Sequence, residues 1–290
     1  MIWLIGNKGM LGTELSLLLK KNNISFIGTD KEIDITSINS LEKYVKNKSI
    51  NWIINCAAYT SVDKAEYDIE FCSTLNTDGP YNIAVIANKI NANIIHISTD
   101  YVFNGKGNKS YTEDDSTDPI GVYGLTKRDG EFKILQGNNK SYIIRTSWLY
   151  GKYGNNFVHT MLKLMNERDT ISVVNDQTGT PTWANDLAQV IIKFIVLSDS
   201  GKTIPYGIYH FSNEGTITWY DFAREIYSKA KVLGILTKDC EIKPCSSSDF
   251  PSKVTRPAYS VLDKTKIKKE LGITIPSWDE SLELFLKSKD

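Results

Sequence analysis

The sequence is poor in the residues that build metal centres and disulfide frameworks, with three histidines and four cysteines in 290 residues. The cysteines, Cys56, Cys72, Cys240 and Cys245, form no CxxC pair. The histidines, His96, His159 and His210, form no HExxH run, and none sits at metal-site spacing from a cysteine pair. No zinc site is expected, and buried or surface thiols are the ordinary reading of these cysteines. Net charge is lacking too, since 34 Lys and Arg balance 34 Asp and Glu. That removes the whole-molecule reason to expect nucleic acid or a membrane surface as partner. Long apolar runs are missing. The best, Val190 to Leu197, is interrupted by Lys193 and falls far short of the roughly 18 to 20 residues that cross a bilayer. Met1 to Gly6 carries no charged leader and runs straight into patterned sequence, so no secretory signal is expected and the chain is read as cytoplasmic.

What is present is alternation. Ile2 to Ile5, Ser25 to Thr29, Trp52 to Ile54, Ile94 to Ile97 and Tyr142 to Arg145 read as strands. Between them lie helical patterns: Leu11, Leu15, Leu18 and Leu19; Ile38, Leu41 and Val45; a long one from about Phe71 to Ile90; and another from about Tyr123. Strands alternating with helices imply βαβ units and a parallel sheet covered on both faces, which explains why the strands are solid apolar runs. The second half is less regular. It offers helices at Phe157 to Met165 and Ala184 to Leu197, short strands at Ile171 to Val174 and Tyr209 to Ser212, and helix starts at Thr218 and at Ser277 with Glu280. The expected fold is α/β, a Rossmann-type doubly wound parallel sheet with a smaller mixed α/β substrate domain. The expected division is 1–146 for dinucleotide binding and 147–290 for substrate, with some later segments returning to the first domain.

Three runs carry chemistry. Gly6-Asn7-Lys8-Gly9-Met10-Leu11-Gly12 follows the first strand and opens the first helix. Glycines there permit a tight turn and bring backbone N–H groups to a pyrophosphate at a helix N-terminus. The spacing is GxxGxxG rather than GxGxxG, so its context carries the argument. Asp30, ending the second strand, suits an adenosine ribose and favours NADH, while Lys8 and Lys31 partly offset the repulsion of a 2′-phosphate; the plain alternative for Asp30 is a loop residue capping the strand. Tyr123-Gly124-Leu125-Thr126-Lys127 places a phenol and an ammonium on one helix face, where the cation lowers the tyrosine pKa for proton transfer. By itself YxxxK reads as a solvated surface pair. Thr99, just after a strand in Ser98-Thr99-Asp100, adds a hydroxyl that can share a substrate carbonyl oxygen with Tyr123.

In this order, the glycine turn, Thr99, Tyr123 and Lys127 resemble the extended short-chain dehydrogenase/reductase superfamily. Longer runs narrow the likeness to its dTDP-4-dehydrorhamnose reductases: Asn55-Cys56-Ala57-Ala58-Tyr59-Thr60-Ser61-Val62-Asp63-Lys64-Ala65-Glu66, Ser98 to Phe103, Arg145 to Gly151, Asn155 to Val158, Asn175 to Thr182 and Arg256-Pro257. The resemblance extends from end to end. It implies reduction of the C4 ketone of dTDP-4-dehydro-β-L-rhamnose by NADPH or NADH. It also implies roles. Gly9, Met10 and Leu11 would line the pyrophosphate turn, Asp30, Asp34 and Ile35 would surround adenosine, and Ala58, Tyr59 and Thr60 would run along the cofactor. Thr99 and Asp100 would contact the sugar, Tyr123 would donate the proton and Lys127 would bind nicotinamide ribose. Trp148 would pack on the deoxysugar ring and Arg256 would meet the diphosphate; on physics alone they are equally a core tryptophan and a surface arginine.

Some members of that family dimerise around magnesium held by glutamates. Glu14 occupies one such position, but Asn185 stands where a second glutamate is expected, and the chain ends in Ser288-Lys289-Asp290. The expectation is no bound metal and a monomer or metal-free homodimer. Two other functions fit the same motifs: another nucleotide-sugar reductase or epimerase, and a non-catalytic dinucleotide-binding regulatory subunit.

Overall fold

The structure is a computed structural model that describes residues 1–249 and 254–288. Of the chain end cited above, Lys289 and Asp290 lie outside the described residues. The first half runs β1 (Ile2–Ile5), α1 (Met10–Lys21), β2 (Phe26–Thr29), α2 (Ile38–Val45), β3 (Trp52–Asn55), α3 (Val62–Ala65), α4 (Ile69–Ser73), α5 (Gly79–Lys89), β4 (Asn93–Thr99), α6 (Val122–Gly137) and β5 (Ser141–Thr146). The second half runs β6 (Leu149–Tyr150), α7 (Phe157–Glu167), β7 (Thr170–Val174), β8 (Thr178–Gly179), β9 (Thr182–Trp183), α8 (Ala184–Asp199), β10 (Gly207–His210), β11 (Ile217–Thr218), α9 (Trp219–Val232), β12 (Glu241–Cys245), α10 (Thr265–Leu271) and α11 (Trp278–Lys287).

Six strands form one parallel sheet in the order β10-β5-β4-β3-β1-β2. Strand alternation divides its core cleanly. Ile2, Leu4, Ile54, Ile95 and Ile144 face α1 and α8, meeting Leu15, Leu19, Leu187, Ile191 and Phe194. Trp3, Ile5, Ile53, Ile94 and Ile143 face the other way, onto Leu41, Ile83, Ile86 and Ile134 of α2, α5 and α6. Burial on both faces accounts for the unbroken apolar runs. The sixth strand, β10, comes from the second half of the chain, as does α8.

Helix α10 joins that core through Ile267 and Leu271, whereas α7, α9 and α11 build a separate apolar cluster around Met165, Phe222 and Phe285. Small two-stranded pairings (β6 with β9, β7 with β12, β8 with β11) tie its loops together. Two helix starts follow the signals in the sequence, with Thr218 capping α9 and Ser277 with Glu280 forming a reciprocal capping box on α11, and Ser37 caps α2.

One expectation fails. The pattern from Phe71 to Ile90 is not a single helix: a π-helical turn, Thr74–Asp78, separates α4 from α5. Its centre is Asn76, whose side chain leaves the helix to bond the backbone of Tyr59 in both directions, at 2.8 and 3.0 Å. Such bulges buy a side-chain direction that a regular helix does not offer.

Candidate active site

The sheet order reverses direction around β1, with β2 on one side and β3 on the other, so the loops after β1 and β3 flank a crevice at their carboxyl ends. The glycine turn fills one wall. Gly6 has φ +77°, and a Cβ on it would stand 2.8 Å from the Ala57 nitrogen; one on Gly12 would stand 2.1 Å from the Gly6 carbonyl oxygen. Only glycine lets these backbones meet. Gly9 then caps α1 without a side-chain bond, leaving first-turn N–H groups to a ligand, and Asn7 Oδ1 is buried with no partner among the described residues. This donor-rich, side-chain-free cradle fits a dinucleotide pyrophosphate. Met10 extends from it toward Gly151, and Leu11 is buried beneath.

Asp30 stands at the end of β2, but its backbone N–H is taken by Glu32 Oε1 at 3.0 Å. Glu32 also pairs with Lys8 at 3.4 Å, so the lysine expected to offset a 2′-phosphate is already engaged. The sequence reading missed Glu32, although an acid two residues beyond Asp30 on the same turn was there to be read. Asp34 accepts from the N–H and hydroxyl of Thr36, and Ile35 is buried against Gly79. The 58–60 segment after β3 is pinned by Asn76, a second residue the reading missed. Tyr59 bonds Asp68, which with burial pushes its phenol up to about 12.

Thr99 ends β4, where its hydroxyl accepts from the Tyr101 N–H at 3.2 Å and donates to Asp100 at 3.0 Å. Tyr123 stands in the first turn of α6 and its phenol contacts Thr99. Helix α6 can come this close because residue 124 is glycine: a Cβ there would lie 2.1 Å from the Tyr101 carbonyl oxygen. Val122 N–H donates to Glu66 at 2.8 Å and holds the helix start. The ring of Tyr101 meets that of Tyr123 edge-on at 5.5 Å.

Lys127 is buried one turn further along α6. Its amine donates to the Ile97 carbonyl at 2.6 Å and lies 3.5 Å from His96 Nε2. Burial pushes it down to about 8, against the pull of Glu131. The Tyr123 phenol is pushed up in this structure, not down as the YxxxK pairing led one to expect. Loss of water pushes the Tyr123 phenol up, the Thr99 contact is what opposes the rise, and Asp100 and Tyr101 add to it. Asp100 is itself raised to about 6 by burial, with the Ser260 and Thr99 hydroxyls pulling it back.

Trp148 has a left-handed backbone, φ +47°, uncommon for a bulky residue and a mark of imposed strain. Its indole stacks on Trp219 with centroids 3.5 Å apart and planes 8° apart, and its edge abuts Gly179. Trp219, not singled out in the sequence, also lines a cavity of about 880 Å³ with Phe157, Arg168, Gln177 and Arg256. Arg256 reaches from that cavity to Asp63 at 3.1 Å and to Tyr101, beside Thr99 and Asp100. The arrangement therefore offers a glycine cradle, a pair of hydroxyls on Thr99 and Tyr123 with a buried lysine one turn along, and an aromatic and cationic cavity. Elsewhere, Glu14 accepts from the Asn185 amide at 3.3 Å within the chain. No cluster suited to a metal occurs among the described residues, and no helix among them is long and apolar enough to cross a membrane.

Comparison with known proteins agrees with this geometry. Residues 1–290 match the family model described as RmlD substrate binding domain. The chain is 41% identical over 280 residues to a dTDP-4-dehydrorhamnose reductase of Aggregatibacter actinomycetemcomitans, covering 96% of this chain and 95% of that protein. Among solved structures it is similar to a dTDP-4-dehydrorhamnose reductase from Clostridium acetobutylicum, at 40% identity and a TM-score of 0.92, covering 99% and 98% of the two chains. It is equally similar in fold to the Bacillus anthracis dTDP-4-dehydrorhamnose reductase in complex with NADP, with a TM-score of 0.92, 39% identity and the same coverage of 99% and 98%.

Proposed function

The chain belongs to the family described as the RmlD substrate binding domain, and we propose on that footing that it reduces the C4 ketone of dTDP-4-dehydro-β-L-rhamnose to give dTDP-L-rhamnose. It is an NAD(P)H-dependent oxidoreductase of dTDP-rhamnose biosynthesis. The observation that carries the reading is the Thr99–Tyr123 contact at the carboxyl end of β4, on the same edge of the sheet as the glycine cradle after β1, with Lys127 one turn along the same helix.

Thr99 and Tyr123 hold the ketone oxygen between two hydroxyls. When bound, NADPH or NADH supplies the hydride for C4. Charge then gathers on the oxygen, and Tyr123 delivers its proton there. A phenol whose pKa is pushed up stays protonated through the neutral range, the state a donor must start from. Donors already in place cost no reorganisation as the charge develops, which makes this a large part of the barrier reduction. Lys127 binds the nicotinamide ribose. Gly6, Gly9, Met10, Leu11 and Gly12 receive the pyrophosphate, Asp30, Asp34 and Ile35 surround the adenosine, and Ala58, Tyr59 and Thr60 flank the path between them.

Asp100 accepts from a sugar hydroxyl, Trp148 offers its ring to the deoxysugar, and Arg256 neutralises the diphosphate at the cavity rim. The cavity volume suits the nucleoside end of such a substrate. Asn185 bonding Glu14 inside one chain supports a monomer or a metal-free assembly, and the proposal places the enzyme in the cytoplasm, acting on a small nucleotide sugar. The test is a coupled assay in which dTDP-4-dehydro-L-rhamnose is made in situ from dTDP-glucose. Substrate-dependent loss of reduced nicotinamide, with dTDP-L-rhamnose as product, is the expected outcome. Dinucleotide binding without turnover would overturn the reading.

A further inference from the structure

Trp148 and Trp219 are brought together by one small ladder. Strand β8 pairs antiparallel with β11, setting Gly179 opposite Ile217 and Thr178 opposite Thr218, and Trp219 follows as the first residue of α9. Strand β5 delivers Trp148 to the carboxyl end of the main sheet, two residues beyond Thr146, the register partner of Thr99. The chain around Trp148 is then fastened at two points to the segment after β8. Ser147 Oγ donates to the Thr180 carbonyl at 2.7 Å, and the Thr182 N–H donates to the Trp148 carbonyl at 3.2 Å. A bulky residue at φ +47° persists only where its surroundings over-determine it.

Those surroundings hold the ring as well as the backbone. Trp219 lies flat against the Trp148 indole and is itself backed by Phe157, with centroids 4.4 Å apart. A flat stack alone would let the rings slide, and the edge contact supplies the stop. A Cβ on Gly179 would stand 2.5 Å from Trp148 Cε2 and 2.7 Å from its Nε1, so a larger residue there must push the indole aside. Trp148 stays half-buried with these contacts made, which leaves ring surface for a ligand. We propose that Trp219 and Gly179 are positioning residues for Trp148, fixing the plane of its indole so that one face rests on Trp219 and the other is presented to the sugar. The inference rests on the assignment of Trp148 to the sugar and deepens it. A ring locked before the substrate arrives leaves less freedom to be lost on binding. It also fixes where the sugar lies relative to Thr99 and Tyr123, so its loss is expected in kcat as well as in KM.

The test makes Trp219→Leu and Trp148→Leu singly and together in the full chain and follows turnover in the coupled assay. Trp219→Leu is expected to lower kcat/KM about tenfold, the scale of coupling between residues in contact, and that loss is expected to vanish once residue 148 is leucine. Trp219→Phe, which keeps a flat ring on the stack, is expected to recover most of it. An equal loss with and without the Trp148 ring would overturn the proposal, because Trp219 would then act on the cavity directly. Gly179→Ala reaches the same indole from its edge and decides the matter in the same way if Trp219→Leu fails to fold. The ligand-free protein gives a reading that needs no turnover. With fluorotryptophan in place of tryptophan, the Trp148 fluorine resonance, identified by its loss in Trp148→Leu, is expected as one line that shifts and broadens in Trp219→Leu and in Gly179→Ala. A line indifferent to both substitutions would overturn the proposal. A chain that shows the expected line and its response but no turnover would count against the reductase reading alone.

Discussion

Glu131 and Arg145 form a two-point ion pair inside the protein, with Arg145 Nε 2.9 Å from one carboxylate oxygen and Nη2 2.7 Å from the other. Neither side chain is more than marginally exposed. The pair joins α6 to β5, and Ser98 of β4 donates to the same carboxylate. Helix α6 is thereby fixed in register on the sheet, with Lys127 one turn and Tyr123 two turns before Glu131 on the same face.

Glu131→Gln leaves Arg145 as a buried charge without its counter-ion. A loss of about 3 to 5 kcal/mol of unfolding free energy is expected, as for other buried pairs with one partner removed. Denaturant unfolding of the two proteins checks it. Turnover should fall with stability, because the register of Tyr123 and Lys127 depends on the pair. An unchanged midpoint would show that the pair holds nothing.

With the adenosine placed at Asp30 as proposed, the Lys8–Glu32 pair sits where a 2′-phosphate would approach. Glu32→Gln removes the anion and releases Lys8 to meet that phosphate. The expected result is roughly two- to fivefold tighter binding of NADPH, the range of an exposed charge contact, with NADH little changed. Fluorescence titration of each cofactor without substrate reads this directly. Equal effects on both would mean that Glu32 does not face the 2′ position.

Asp100 is an acid whose folded-state pKa is raised, to about 6, above its ordinary 3.8. The folded protein therefore holds a proton that the unfolded chain has lost between these values, and stability falls as pH rises through that window. Asp100→Asn keeps the shape without the charge. It should stabilise the protein by about 2 to 3 kcal/mol at pH 7, from a shift of about two units, and flatten the stability profile between pH 4 and 6. Thermal unfolding across that range checks the prediction. The same variant should bind the sugar nucleotide more weakly, since the proposed role of that carboxylate is to accept from a sugar hydroxyl.

Much of the sheet was legible because burial on both faces writes each strand as an apolar run, and the capping signals at Thr218 and Ser277 lie within a few residues of the helices they start. The same logic exposes what was overlooked. Asn55 and His96 are polar residues inside doubly buried strands, a signal that something must satisfy them. The π-turn at Asn76 was not legible, since its cause is the backbone of Tyr59, seventeen residues away. The two-residue strands β6, β8, β9 and β11 are too short to show a period. The left-handed Trp148 and its stack on Trp219 follow from packing between distant segments, which no local pattern records.

The role of Tyr123 as proton donor is tested most directly by Tyr123→Phe, assayed for turnover of dTDP-4-dehydro-L-rhamnose and for cofactor affinity in the same preparation. Tyr123 lies in the first turn of α6 with its hydroxyl on Thr99, so the substitution removes one oxygen from the site and leaves the glycine cradle untouched. A fall in kcat of about 100- to 10,000-fold is predicted, the usual worth of a positioned acid, with the cofactor Kd changed less than about twofold. Turnover at the unaltered rate would contradict the assignment and leave the Thr99–Tyr123 contact as packing.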